Sequence, residues 1–207
     1  MRILVTAGPT REFIDDVRFI SNPSSGKTGY AIAEEARRRG HTVTLVNGPV
    51  ALPPPAGVRV VPVVSARDMH RAVLRAFASV DAVIMTAAVG DFEQRRVRGK
   101  IKKNGRGLTI RLRPTPDILK TLGARKGRRI LVGFALEVRN RTANALAKLR
   151  AKRLDLIVAN GPATFRSEKI RATLVAPAYV KRLPILTKRE FARQLVRIVE
   201  EIGARGR

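Results

Sequence analysis

The chain has 207 residues, 44% of them hydrophobic, with no cysteine and only His41 and His70. It can bury a core of its own at the upper end of single-domain length, whereas disulfides, thiolate catalysis, Cys-ligated metal centres and a His-rich metal site are excluded. Its 42 Lys and Arg against 16 Asp and Glu give a net charge of +26. That field draws polyanions, without saying whether they are nucleic acids, membrane surfaces or small phosphorylated substrates. No apolar run approaches the roughly 18 residues of a membrane span, and Met1 leads into a strand-like run rather than a signal pattern. One domain over residues 1–207, soluble and cytoplasmic, is the expectation.

Short apolar runs alternate with helix-period segments, the signature of a sheet wound with helices. RILVTAG (2–8) reads as a first buried strand. Thr28 to Arg39 reads as a helix with Tyr30, Ala31, Ala33 and Ala36 toward the sheet, ended by Gly40. HTVTLVNG (41–48) is a second strand, and a proline-rich turn leads to VRVVPVV (58–64). Ser65 caps a helix over about 66–79. DAVIMTAAV (81–89) is a fourth strand, apolar as a central parallel strand should be. RRILVGFAL (128–136), a helix from about Asn140 to Lys152, LDLIVAN (154–160), a hairpin-like IRATLVAP…YVKRLPIL and a closing helix from Lys188 to Gly203 complete the chain. The fold class is α/β, a Rossmann-like, doubly wound, mostly parallel sheet.

Arg95 to Arg113, RRVRGKIKKNGRGLTIRLR, fits badly inside such a sheet. It has no acid and no aromatic, which weakens single-strand nucleic-acid binding, a mode that interleaves cations with stacking rings. LTIRLR alternates like a half-exposed antiparallel strand, and the segment reads as an arm that pairs with another subunit.

Ligands of a wound sheet bind beyond the carboxyl ends of its strands. The loops there are GPTREFID, AAVGDF, GFALE and ANGPATF, with ISNPSSGKTG (20–29) leading into the first helix. Gly26-Lys27-Thr28 looks like the end of a P-loop, but the first glycine of that pattern is missing at Ser21 and the strand lies too far away. Ser24, Ser25 and Gly26 instead place small residues and free N–H groups before a helix N-terminus, a natural phosphate seat, or else a simple helix cap. A dinucleotide fingerprint is absent too, because Gly8 is followed by Pro9 and Thr10.

TAGPTREFID, ISNPSSGKTG, AAVGDF, KIKK, TPDIL, GFALE and LDLIVAN, in that order and spacing, resemble phosphopantothenoylcysteine synthetase, or phosphopantothenate–cysteine ligase. In many bacteria and archaea this is the C-terminal half of a bifunctional coenzyme A biosynthesis protein. The resemblance covers essentially the whole chain. It implies a homodimer that takes CTP with Mg²⁺, 4′-phosphopantothenate and L-cysteine. The carboxylate attacks the CTP α-phosphate, pyrophosphate leaves, and cysteine's amine then displaces CMP from the acyl-cytidylate. No protein nucleophile is needed, so positioning and charge neutralisation can carry the catalysis.

Residue by residue, the resemblance implies that Asn22 contacts the acyl intermediate and that Lys100, opening KIKK, helps form it. Met85, Thr86 and Ala87 with Asp91 match the loop lining the nucleotide site. Pro116, Asp117, Ile118 and Leu119 match a further nucleotide-contacting segment, Phe134 packs near the base, and Lys148 and Lys152 reach the nucleotide from one helix face. Ser24, Ser25 and Gly26 become phosphate contacts. Gly90 stands where the family commonly has alanine, and Leu136 and Val138 depart from GFAAET; these changes bear on base contacts or on packing alone. Two other readings stay open, a Rossmann-like NAD(P)-binding reductase and a basic nucleic-acid-binding module.

Overall fold

The computed structural model describes residues 1–205 apart from 104, 106, 137–140, 162, 163, 165 and 166. Val138, Asn140, and Pro162, Ala163 and Phe165 of the ANGPATF loop therefore lie outside the described residues, as do Asn104 and Arg106 of the arm.

Strands β1 (Arg2–Ala7), β2 (Arg11–Phe13) and β3 (Phe19–Ser21) precede helix α1 (Lys27–Arg38). Then come β4 (Thr42–Asn47), β5 (Arg59–Pro62), α2 (Ala66–Phe77), β6 (Ala82–Met85), β7 (Phe92–Glu93), β8 (Arg113–Pro114) and α3 (Ile118–Ala124). The chain closes with β9 (Ile130–Leu136), α4 (Arg141–Ala151), β10 (Leu156–Asn160), β11 (Lys169–Ile170), β12 (Ala172–Ala176), β13 (Tyr179–Arg182), β14 (Leu186–Thr187) and α5 (Lys188–Arg205).

Eight strands form one sheet in the order β13-β12-β10-β9-β6-β1-β4-β5. The strands from β10 to β5 are parallel, and β12 and β13 join antiparallel at the far side. The fold is the doubly wound, mostly parallel sheet expected from the alternation of apolar runs. Successive residues of β1 point to opposite faces, as a strand requires. Ile3 and Val5 pack with Ile32, Ala33, Phe191 and Leu195 beneath α1 and α5, whereas Leu4 packs with Met69, Val73, Leu122 and Leu149 beneath α2, α3 and α4. After β1 the chain runs outward through β4 and β5, then returns to the other side of β1 with β6. The order therefore reverses between β1 and β6, and that crevice is where such sheets hold their ligands.

Gly29 lets α1 begin directly over this crevice. A Cβ there would lie 2.6 Å from Ala7 Cβ and 2.5 Å from Thr86 Oγ1, so only glycine admits the approach.

Three expectations need correction. In α1, Ala31 is only half-buried, and the fully buried position is its neighbour Ile32. Lys152 follows the end of α4 rather than lying within it, although its N–H still donates to Lys148 O at 3.0 Å. LTIRLR is not a strand within one chain. Only Arg113 and Pro114 pair, with Glu93 and Phe92, and the stretch before them is irregular, with Leu108 56% and Leu112 44% exposed. The alternation is real, but a strand exists only beside a partner, and among the described residues none pairs with 108–112. Its base is fixed instead. Gly99 N–H donates to Asp16 Oδ2 at 2.7 Å, Ile101 N–H to Asp15 Oδ2 at 3.1 Å, and Arg18 to Ile101 O. Burial opposes the charge of Asp15, but the N–H groups of Arg18, Val17 and Ile101, with the Arg18 guanidinium, hold its carboxyl below the usual range.

Candidate active site

Two adjoining cavities open at the carboxyl ends of β6, β9 and β10, and both are walled by Phe134. The larger holds about 580 Å³, within the usual range of small-molecule sites. Met85, Ala87 and Asp91 line it from the loop after β6, and Phe134 and Leu136 from the end of β9. Pro116, Asp117, Ile118 and Leu119 close a third side, Lys148 and Lys152 a fourth, and Asn22 enters from the loop before α1.

The loop after β6 is held by hydroxyls and amides besides one parallel bridge between Ala88 and Pro9. Thr86 Oγ1 donates to Thr6 O at 2.5 Å, and Ala87 N–H donates to the buried Thr6 Oγ1 at 3.1 Å. Asn22 Nδ2 donates to Ala88 O at 3.1 Å, Gly90 N–H to Thr10 Oγ1 at 2.9 Å, and Thr115 Oγ1 to Gly90 O at 2.7 Å. Four separate segments thus converge on residues 86–91. The substitution at Gly90 bears on packing alone, since a Cβ there would meet Glu12 Cγ at 3.3 Å and Thr10 Oγ1 at 3.4 Å and the residue does not line the cleft. Leu136 does line it, so that departure from the family pattern reaches the ligand's side.

Asp117 opens α3 by accepting from the Lys120 N–H at 2.9 Å, and its second oxygen meets Lys152 Nζ at 2.8 Å. Burial raises its pKa, but the Lys152 ammonium and the Lys120 N–H outweigh burial and hold the carboxyl below its ordinary value. A carboxylate and a cation therefore stand side by side on one wall of the cleft.

The smaller cavity, about 40 Å³, is lined by Ser24, Ser25, Gly26 and Thr86, all named from sequence. Gly26 caps α1 with φ 76, in the left-handed region, and no side chain caps the helix. Its first N–H groups and the positive end of its dipole face this space.

Every residue to which the resemblance gave a binding or catalytic role lines one of the two cavities except Lys100, which is exposed and belongs to neither. Sequence reasoning missed Val89, Thr115, Leu154 and Ile157 in the larger cleft, and Lys27, Asn160, Thr164 and Lys188 in the smaller. For Lys188 a signal existed, because a cation at the first residue of a helix opposes the dipole.

Residues 1–202 match the family described as the DNA/pantothenate metabolism flavoprotein C-terminal domain. The chain belongs to this family. It is 44% identical over 209 residues to the coenzyme A biosynthesis bifunctional protein CoaBC of Bacillus subtilis, covering 98% of this chain and 51% of that protein. The chain thus spans about half the length of the curated relatives it matches. Among solved structures, the C-terminal domain of a coenzyme A biosynthesis bifunctional protein CoaBC superposes with a TM-score of 0.85 at 46% identity, over 97% of this chain and 94% of that one. At 17% identity, a Cab2 variant in complex with phosphopantothenate-cysteine shares the fold with a TM-score of 0.82, over 99% of this chain and 87% of that one. The family resemblance carried by the motifs is the one these comparisons find. Among the described residues, no helix is long and apolar enough to cross a membrane.

Proposed function

We propose that this chain joins 4′-phosphopantothenate to L-cysteine, in coenzyme A biosynthesis, through an acyl-cytidylate made from CTP. The observation that carries the reading is the convergence of segments far apart in sequence, around Asn22, Ala87, Asp117, Phe134 and Lys148, on one cleft beyond the carboxyl ends of β6, β9 and β10. Family membership and the printed names of the relatives support it.

In this reading the base and ribose lie in the larger cleft, against Phe134 and the 116–119 segment, with Asp91 as an acceptor at the rim. The polyphosphate runs toward Ser24, Ser25 and Gly26, whose open helix start offers N–H donors. In this reading Mg²⁺ enters with the nucleotide. A carboxylate oxygen of 4′-phosphopantothenate forms the bond to the α-phosphorus as pyrophosphate departs. The amine of cysteine then attacks the acyl carbon, CMP leaves with that bridging oxygen, and the amine sheds its proton. Asn22, held by two loop carbonyls, positions the acyl group. Lys100 neutralises phosphate charge in the first step.

Lys100 meets the cleft through dimerisation in this account. The arm from 95 to 113 carries exposed Leu108 and Leu112, and pairing with the same segment of a second copy satisfies its backbone across a two-fold axis. Ultracentrifugation of Ile110→Asp should then show a monomer with native secondary structure and lost turnover; a fully active monomer, wild type or variant, contradicts the shared site.

Pyrophosphate release tests the reaction. Release should require both CTP and 4′-phosphopantothenate, and added cysteine should raise it to steady turnover. Release from CTP alone, or none with all substrates present, rejects the ligase. CTP should exceed ATP in kcat/KM, and equal efficiency removes the cytidylate while leaving the ligase standing.

A further inference from the structure

Lys188 has no part in the chemistry above, yet it is the most constrained cation at the site. It is only 6% exposed and lines the smaller cavity opposite the start of α1. Its backbone N–H donates to Glu168 O at 3.0 Å, but its ammonium makes no hydrogen bond or ion pair with any described residue. The neighbouring carboxylate of Glu168 is engaged by Lys27 and acts on Lys188 only through space. Burial draws the Lys188 pKa down, Glu168 partly offsets this, and Lys27 adds to the lowering.

Such a placement costs stability twice. The Lys188 side chain is largely buried, so its ammonium is partly desolvated without a hydrogen-bond partner among the described residues, and a cation at the first residue of α5 opposes that helix's dipole. The capping box of Thr187 and Glu190 closes the same helix, so an uncharged residue at 188 would cap no worse. Among the described residues only the through-space attraction of Glu168 offsets part of these costs. An anion in the cavity would return both, with charge-assisted bonds from Lys188 on one side and the open N–H groups of α1 on the other. The room, about 40 Å³, suits a small tetrahedral group better than a sugar or a base. Phe134, shared with the larger cleft, places that group at the end of a longer ligand.

We propose that Lys188, its side chain largely buried and lining the smaller cavity, is the cation of a phosphate seat built with the open start of α1, occupied during catalysis by a phosphate group of a substrate. The seat rests on geometry; only the identity of the substrate rests on the ligase reading. That phosphate comes from the nucleotide tail or from 4′-phosphopantothenate, and kinetics separates the two.

The test is calorimetric titration of the full chain with inorganic pyrophosphate, using wild type, Lys188→Met and Lys188→Arg. Lys188→Met should weaken binding by roughly tenfold to a hundredfold, the range of a hydrogen bond to a charged group, and Lys188→Arg should recover most of it. Without ligand, Lys188→Met should melt at or above the wild-type temperature, because a partly desolvated charge at a helix start has been removed. In steady state, a raised KM for CTP assigns the seat to the nucleotide, and a raised KM for 4′-phosphopantothenate assigns it to the acyl substrate. Unchanged pyrophosphate affinity, unchanged KM for both substrates, or a variant that melts well below wild type overturns the proposal. Lys188-dependent pyrophosphate binding in a protein that makes no product would reject the ligase reading and keep the seat. Normal turnover with Lys188→Met would do the reverse.

Discussion

Two helices of this sheet begin in opposite ways. Ser65 and Asp68 close α2 with a reciprocal capping box, the Ser65 hydroxyl accepting from the Asp68 N–H at 3.2 Å and Asp68 Oδ2 accepting from the Ser65 N–H at 3.0 Å. Gly26 begins α1 in a left-handed conformation with no side-chain cap, beside a cavity. The first start commits its donors to stability; the second leaves them without a side-chain cap, with Lys188 on the opposite wall of the cavity. The start of α3 stands between them, with Asp117 capping by one oxygen and meeting Lys152 by the other. All three helices pack on the sheet, and what differs is how far their starts are closed by side chains.

Closing the open start should have the largest effect. Gly26→Asp puts a capping carboxylate where phosphate is to bind, and its Cβ would also crowd Val50 Cγ1 at 3.0 Å. Turnover in the pyrophosphate assay should fall by about a hundredfold or more. The left-handed backbone should cost only about 1–2 kcal/mol of stability, measured by denaturant unfolding. A folded and fully active variant would mean that α1 is not a ligand seat.

Disturbing the intermediate start should do less. Lys152→Met removes a cation from the cleft wall and frees Asp117, so the KM for CTP should rise about tenfold, as for loss of one charged contact. The ion pair is partly exposed, and stability should move by less than about 1 kcal/mol. A stability loss with unchanged KM would make this pair structural.

Opening the closed start should leave chemistry alone. Ser65→Ala should cost about 1 kcal/mol in unfolding free energy with turnover per folded molecule unchanged. A kinetic defect would erase the distinction between the two starts.

Sequence reading resolved the sheet well because its central strands are nearly continuous apolar runs, as in 82–85 and 156–160, with punctuation at Gly40 and Ser65. The hairpin of β2 and β3 escaped it. These are three-residue strands, and Phe19 and Ile20 are exposed, so no buried alternation marks them. α3 is only seven residues long, too short for a helical period to show. The cleft residues were legible through ordered motifs rather than through physics, since an exposed Asp91 or a lysine in a basic run looks ordinary by itself. Lys188 was illegible by motif; its place at a helix start was a faint signal, and its burial came only with the structure. Lys100 was named by resemblance alone, and a single chain does not bring it to either cavity.

The smallest expected effect is in acid. Burial raises the Asp68 pKa, but its bonds from Ser65 and the charge of Arg71 outweigh this and lower it on balance. A lowered folded value stabilises the protein above the unfolded carboxyl pKa of about 3.9, and this stabilisation is lost as pH falls through the folded value. Melting scans from neutral pH into that range should show a shallower acid slope for Asp68→Asn than for wild type. An equal slope would show that the α2 cap carries no charge-dependent stability.

The proposed chemistry is tested most directly by following one oxygen. With both carboxylate oxygens of 4′-phosphopantothenate carrying heavy oxygen, and with CTP and cysteine unlabelled, mass spectrometry of the products reports which bonds formed. An acyl-cytidylate predicts one heavy oxygen in the phosphate of CMP, one in the new amide carbonyl, and none in pyrophosphate. Unlabelled CMP, or label in pyrophosphate, would contradict attack of the carboxylate on the α-phosphate.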